Sequence, residues 1–274
     1  MGEAADTADT APQRAPLLGR SIVITRARAQ ARRLAEPLEA LGAEVLAMPV
    51  LEVADPPDPS AVDDAIRELP SYDWLVLTST NAVDRFFARL VFVDRTSEAL
   101  SHVKIAAVGR ATAGHLREKG VEPDLVPEDA RAEGLVAAFR ALGVGEGCRV
   151  LVPRALVARE VLPDELRVMG VQVDVVPAYQ VVPVEPDPAV VERLREGTVD
   201  VVTFTSGAIA RAFVSALRGA GLDPDEVLSS VALASIGPVT TDELVALGYR
   251  PAIEASKAMM ASLAQAIGEY FSGQ

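Results

Sequence analysis

Short apolar runs that stop at small hydroxyl residues alternate along this chain with stretches of helical spacing. Trp74-Leu-Val-Leu77 is a continuous apolar run of strand length, and Val83, Phe86, Phe87 and Leu90 then recur at i, i+3, i+4 and i+7. Ser79, Thr80 and Asn81 between them are residue types that cap a helix start. The pattern predicts a buried strand feeding straight into a capped helix. First-turn N–H groups there lack intrahelical acceptors and suit an anion. The same pattern returns from Asp200 to Phe213, with Ser206 in the place of Ser79.

That recurrence extends over most of the chain. Ser79 and Ser206, Phe86 and Phe213, and Leu90 and Leu217 are each 127 residues apart. Arg26 and Arg154, Leu34 and Leu162, Leu38 and Leu166, Gly42 and Gly170, and Pro49 and Pro177 are 128 apart, as are Gly109 and Gly237, Thr112 and Thr240, Gly120 and Gly248, and Pro123 and Pro251. One offset with a single short gap identifies a tandem duplication of an α/β unit.

In order, strands are predicted at 21–24, 44–48, 73–77, 103–108 and 124–127, with helices after Arg26, over 61–69, after Ser79, after Gly109 and over 131–142. The second copy repeats this: a strand at 149–152 ended by Pro153-Arg154, a helix stopped by Gly170, and strands at 171–176, 199–204 and 231–236, with a last helix over 257–271. Pro-rich extended pieces follow the second strand of each copy, at 49–57 and 177–185. Strands alternating with helices predict parallel sheets with helices on both faces, an α/β fold in two similar lobes. The matched connectors predict two chain crossings between the lobes. Ligands of such sheets lie beyond the strand carboxyl ends, which here are Thr25-Arg26, Thr78 to Asn81, Gly109 to Thr112, Pro153-Arg154, Thr205 to Gly207 and Gly237 to Thr240. These ends are expected to share one cleft.

Composition narrows the chemistry. A net charge of −13 argues against nucleic acid as a partner and requires that any anionic ligand be held by local groups. The lone Cys148 rules out an internal disulfide, and two histidines, His102 and His115, are too few for most metal sites. Residues 1–16 are read as a disordered polar tail without the marks of a signal peptide, and no run is long enough to span a membrane. The chain is therefore expected to be cytoplasmic.

Ser79 and Ser206 lie outside any nucleophile elbow and read as helix caps. Thr112 and Thr240 read as caps or ligand contacts. Arg26 and Arg154, at matched strand ends, suit carboxylate recognition. Arg159, one turn beyond Arg154, is the weaker candidate. Gly143-Val-Gly-Glu-Gly147 precedes a strand and so is not a dinucleotide loop. Tyr179, in the second connector, reads equally as packing or as a neutral proton donor.

Taken together, Thr25-Arg26, Thr78 to Val83, Val108 to Thr112, Pro177-Ala-Tyr179, Phe204 to Ser206, and Ile236 to Thr240 followed by Leu244 and Gly248 resemble uroporphyrinogen-III synthases from about Ser21 onward. The resemblance implies a swapped arrangement, with residues 17–48 and 186–274 in lobe 1, 58–176 in lobe 2, and 49–57 and 177–185 as connector. The duplication alone leaves swapped and contiguous lobes open. It also implies closure of linear hydroxymethylbilane to uroporphyrinogen III, with loss of water and inversion of the last pyrrole ring, in haem, sirohaem and cobalamin synthesis. The implied enzyme is a monomer without cofactor or metal, supplied by the upstream hydroxymethylbilane-forming enzyme. Tyr179 takes the role of assisting proton donor. Thr25, Arg26, Ser79, Asn81, Thr112, Arg154, Ser206 and Thr240 are expected at the substrate. Two other readings fit a hinged cleft: an exported binding protein, which needs an export signal, and a nucleotide-sugar enzyme, which usually has a Gly-rich first turn where this chain has Thr25-Arg26-Ala27.

Overall fold

The computed structural model describes residues 15–273. Strands are β1 (Ser21–Ile24), β2 (Glu44–Ala47), β3 (Leu51–Ala54), β4 (Trp74–Leu77), β5 (Lys104–Ala107), β6 (Arg149–Ala155), β7 (Gln172–Pro183), β8 (Val201–Phe204), β9 (Ala232–Ser235) and β10 (Ile253–Glu254). Helices are α1 (Arg28–Ala40), α2 (Ser60–Arg67), α3 (Thr80–Phe92), α4 (Arg110–Glu118), α5 (Ala132–Ala141), α6 (Val161–Val168), α7 (Pro188–Arg195), α8 (Gly207–Gly219), α9 (Pro224–Ser230), α10 (Pro238–Ala246) and α11 (Met260–Ser272).

The described residues divide into two compact units, one of residues 15–52 and 183–273 and the other Val53–Val182. Among the described residues the first unit holds a sheet in the order β10-β9-β8-β1-β2, and the second a sheet in the order β3-β7-β6-β4-β5. The duplication explains this pairing. β1 and β2 match β6 and β7, and β8 and β9 match β4 and β5, so each sheet combines strands from both copies in the same relative order. This is the swapped alternative. β1, β4 and β8 are buried at every residue. Helices cover both faces of a parallel sheet, so these three strands are apolar on both sides instead of alternating, apart from Ser21 and Thr203.

Alternation along each strand divides its residues between two cores. In the second unit Leu75 and Leu77 join Val83, Phe86 and Leu90 of α3 on one face. Trp74 and Val76 meet Leu135 and Phe139 of α5 on the other, with the Trp74 and Phe139 rings edge to face at 5.0 Å. In the first unit Val202 and Phe204 pack on Phe213, Val214 and Leu217 of α8. Val201 packs on the opposite face with Leu34 and Leu38 of α1 and Leu263 and Ile267 of α11. α2 and α3 are further tied by a nearly buried ion pair, Asp63 with Arg89, whose side chains are 9% and 12% exposed.

Several expectations need correction. Residues 124–127 form no strand, and Leu125 makes a single bridge to Ala106. Pro153-Arg154 does not end its strand. β6 continues to Ala155 on β7 alone after its last pairing with β4 at Leu151, where a proline without N–H is tolerated as on an edge. β7 runs from Gln172 to Pro183 and so takes in most of the extended second connector. Of the expected tail, residues 1–14 lie outside the described residues, whereas Ala15 and Pro16 belong to a turn that seats the buried Leu17. Cys148, immediately before β6, is half-buried. α7 and α9 were not anticipated, although each begins with an Asp cap followed by Pro, at Asp187-Pro188 and Asp223-Pro224.

Candidate active site

In the second unit the end of β4 sends successive side chains to opposite faces. Thr78 continues the Trp74–Val76 side, and Ser79 caps α3 by accepting from the Ala82 N–H at 3.1 Å. The Tyr179 hydroxyl lies 3.0 Å from Ser79 Oγ. A bulge makes this meeting possible. Along β7, Arg154 pairs with Pro177 but Ala155 pairs with Tyr179, leaving Ala178 as an extra residue. Strict alternation would put Ala178 and Tyr179 on opposite faces. Both are instead buried in the core that holds Phe86. A β-bulge re-aims a side chain in this manner, and here it turns the phenol toward a helix start.

Next along the sheet, Gly109 precedes α4, and Thr112 is buried in its first turn. The segment Asp129–Arg131 packs against this strand end. A methyl group on Gly109 would lie 3.1 Å from the Ala130 methyl, and one on Gly134 would lie 2.1 Å from the Asp129 carbonyl oxygen. Gly134→Ala is therefore expected to displace this segment at a cost of about 1–3 kcal/mol, read as a thermal midpoint a few degrees lower.

Arg154 is 9% exposed. Its guanidinium donates to the Arg159 carbonyl at 2.8 Å and pairs with Glu160, so it is neither a solvated charge nor open to a ligand on those two sides. Beside it is a cavity of about 270 Å³ lined by Thr78, Val108, Arg131, Val152, Arg154, Arg159 and the start of α6. A more open groove of about 500 Å³, beside Tyr72, Arg149 and Asp174, has polar walls that already bond one another.

The first unit repeats the arrangement. Ser206 caps α8 through the Ile209 N–H at 3.3 Å. Thr240 is buried in the first turn of α10, which starts at Gly237 with φ 157°, a backbone conformation that favours glycine. Thr25, fully buried, donates to the Thr203 carbonyl at 2.6 Å, and Thr203 donates to that of Val23 at 3.1 Å, so this hydroxyl serves the sheet. Arg26 reaches Gln30 at 2.7 Å and Met260 Sδ at 3.5 Å, while its Nε is buried without a hydrogen-bond partner among the described residues. Burial first, and then the charge of Arg33, lowers its pKa from the usual arginine value. A buried guanidinium with an unmet donor is better placed to take an anion than a solvated one. Asn81 occupies the first turn of α3.

Sequence reasoning placed the Ser79 and Ser206 caps correctly, but Thr112 and Thr240 are not caps, since Gly109 and Gly237 hold those positions. It missed Arg131 as a cavity residue, and the Tyr179–Ser79 contact. It also missed the hydroxyl pair Ser235–Thr241 at 2.7 Å, which ties the end of β9 to α10. His115 bonds Asp84 and Glu118, each at 2.8 Å, on the unit surface. Among the described residues, no helix is long and apolar enough to cross a membrane, and no cluster of three or more His, Cys, Asp or Glu could hold a metal ion.

A sequence profile of the family described as uroporphyrinogen-III synthase HemD matches residues 32–265. The uroporphyrinogen-III synthase of Synechococcus elongatus is 35% identical over 259 residues, covering 93% of this chain and 97% of that one. The one from Chlorobaculum parvum is 26% identical over 254 residues, covering 91% and 98%. Among solved structures, a mutant uroporphyrinogen III synthase of Thermus thermophilus superposes with a TM-score of 0.62 at 20% identity, covering 93% of this chain and all of the other. The Helicobacter pylori protein gives 0.60 at 19%, with the same coverage. At these identities the solved structures speak for the fold alone.

Proposed function

The chain belongs to the uroporphyrinogen-III synthase family, whose enzymes close linear hydroxymethylbilane into uroporphyrinogen III, and on that premise we propose how its residues run the reaction. The observation that carries the assignment is the Tyr179 phenol, 3.0 Å from Ser79 at a capped helix start.

In the substrate the pyrrole nitrogen of the terminal ring pushes out the hydroxyl of its hydroxymethyl group. Tyr179 donates its proton to that hydroxyl, which leaves as water and generates an azafulvene-like cation. Ser79 Oγ holds the phenol and donates a hydrogen bond to the phenolate that remains. The proton released when the macrocycle closes returns to Tyr179. Because the ring nitrogen drives the departure, the larger protein contribution is to fold the chain so that the inverted ring attacks, an effect of orientation.

The helix starts at Ser79, Asn81 and Thr112, and likewise those at Ser206 and Thr240, are each suited to receive a carboxylate side chain, at about 0.3–1 kcal/mol apiece. Arg26 adds a guanidinium with an unmet donor. Thr25 and Arg154 act from behind, stiffening the strand end and the β6–α6 loop. The reading includes a monomer working in the cytoplasm on a tetrapyrrole released by the enzyme that makes it.

Purified protein supplied with hydroxymethylbilane is expected to yield the type III isomer by chromatography, whereas spontaneous closure yields type I. Type I alone from active-concentration protein would reject the assignment.

A further inference from the structure

We infer that the cavity at the carboxyl end of the second unit's sheet is a subsite for one carboxylate-bearing side chain of the substrate, with Arg159 as the group that meets the carboxylate. The inference rests on the proposed synthase reading and assigns a residue that it leaves unused.

Size is the first argument. About 270 Å³ falls below the roughly 300–1,000 Å³ typical of whole-ligand pockets. A tetrapyrrole cannot enter, but an acetate or propionate arm can. The lining is the second. Val108, Val152 and Leu162 supply an apolar floor for methylene groups, and Arg131 and Arg159 supply cations at the rim. In a protein of net charge −13, carboxylates are held only where cations are concentrated locally.

The ion pairs then distinguish the arginines. Arg131 forms a two-pronged pair with Asp129, both contacts at 2.8 Å. Arg154 is engaged with Glu160 and with the Arg159 carbonyl. Arg159 alone of the three has no hydrogen-bond or ion-pair partner for its side chain among the described residues. Its backbone is nevertheless anchored, because buried Arg154 grips its carbonyl at 2.8 Å. The loop is thus built to hold an uncompensated cation at the cavity mouth. The same loop exposes Leu156 and Val157 to solvent, Val157 at 89%. Exposed aliphatic groups beside an unpaired cation match an amphipathic acid, a ring face with a carboxylate arm.

Steady-state kinetics with hydroxymethylbilane test this on the full chain, using Arg159→Gln, Arg159→Lys and, as a control for the lost charge alone, Arg95→Gln on the exposed turn after α3. Arg159→Gln is expected to raise KM about tenfold, the lower end for a charge-assisted contact, with kcat within twofold and the type III product retained. Arg159→Lys should recover part of the loss, and Arg95→Gln should leave KM unchanged. A wild type that makes type III while Arg159→Gln keeps a wild-type KM overturns the subsite alone. An equal rise in KM for Arg95→Gln also overturns it, since net charge then explains the effect. A wild type that makes only type I overturns the synthase reading and the subsite with it.

Discussion

Tyr179→Phe is expected to lower kcat about a hundredfold, at the lower end of what a positioned general acid contributes, while KM moves little. Phenylalanine keeps the ring in the core beside Phe86 and removes only the hydroxyl that meets Ser79 at 3.0 Å. The stability cost is one hydrogen bond, about 1 kcal/mol, too small to mimic the kinetic loss. Residual type III formation should persist, because the binding groups that orient the chain are intact. Ser79→Ala gives a second check. It frees the phenol and removes the α3 cap, with a stability cost of about 1 kcal/mol, and should fall between wild type and Tyr179→Phe in kcat. Turnover of Tyr179→Phe within threefold of wild type would remove the proton-donor role and leave Tyr179 as packing.

The largest loss of stability is expected from Asp63→Ala. Asp63 Oδ1 accepts from Arg89 Nε at 2.6 Å, and the second oxygen accepts from the guanidinium terminus. The guanidinium also lies over the Phe92 ring, 3.9 Å from its centroid. The hydrogen bond to Asp63, the leading influence, raises the Arg89 pKa above the ordinary arginine value, so the cation persists at every accessible pH. Without Asp63 it is stranded between α2 and α3, a loss of about 3–5 kcal/mol. In a unit of this size that is a thermal midpoint lower by about 10 °C or more. The double variant Asp63→Leu/Arg89→Met should regain most of the loss, since a well-packed apolar pair is often as stable as a buried ion pair. A change below 1 kcal/mol in urea unfolding of Asp63→Ala would show that the pair is solvated.

Much of this architecture was legible because it is local. Trp74 to Leu90 announces a strand, a cap and an amphipathic helix within a single window, and the copy at Val201 to Leu217 repeats it. The partnering of the copies was not. β8 beside β1 and β6 beside β4 satisfy the same alternation and the same crossover preference as contiguous lobes would, so residue pattern alone cannot choose between them. The Tyr179 geometry was hidden for a related reason. A single inserted residue, Ala178, reverses the facing of everything after it, and no composition signal marks it. Arg154 was read as a substrate contact from its place at a strand end. Its burial and its hold on the Arg159 carbonyl depend on a loop whose path is set by tertiary packing.

The exchange of strands between copies also governs how the polypeptide can mature as it leaves the ribosome. Residues 53–182 emerge as one stretch and contain every strand their sheet requires except the start of β3, already made, and Pro183 at the end of β7. β1 and β2 emerge before that stretch, yet β1 has no neighbour on its other side until β8 appears. At synthesis rates of about 5–20 residues per second, that delay is roughly ten to thirty seconds. Throughout it the nascent βαβ unit of β1, α1 and β2 carries an open sheet edge and an uncovered apolar face, a surface open to wrong partners until β8 arrives.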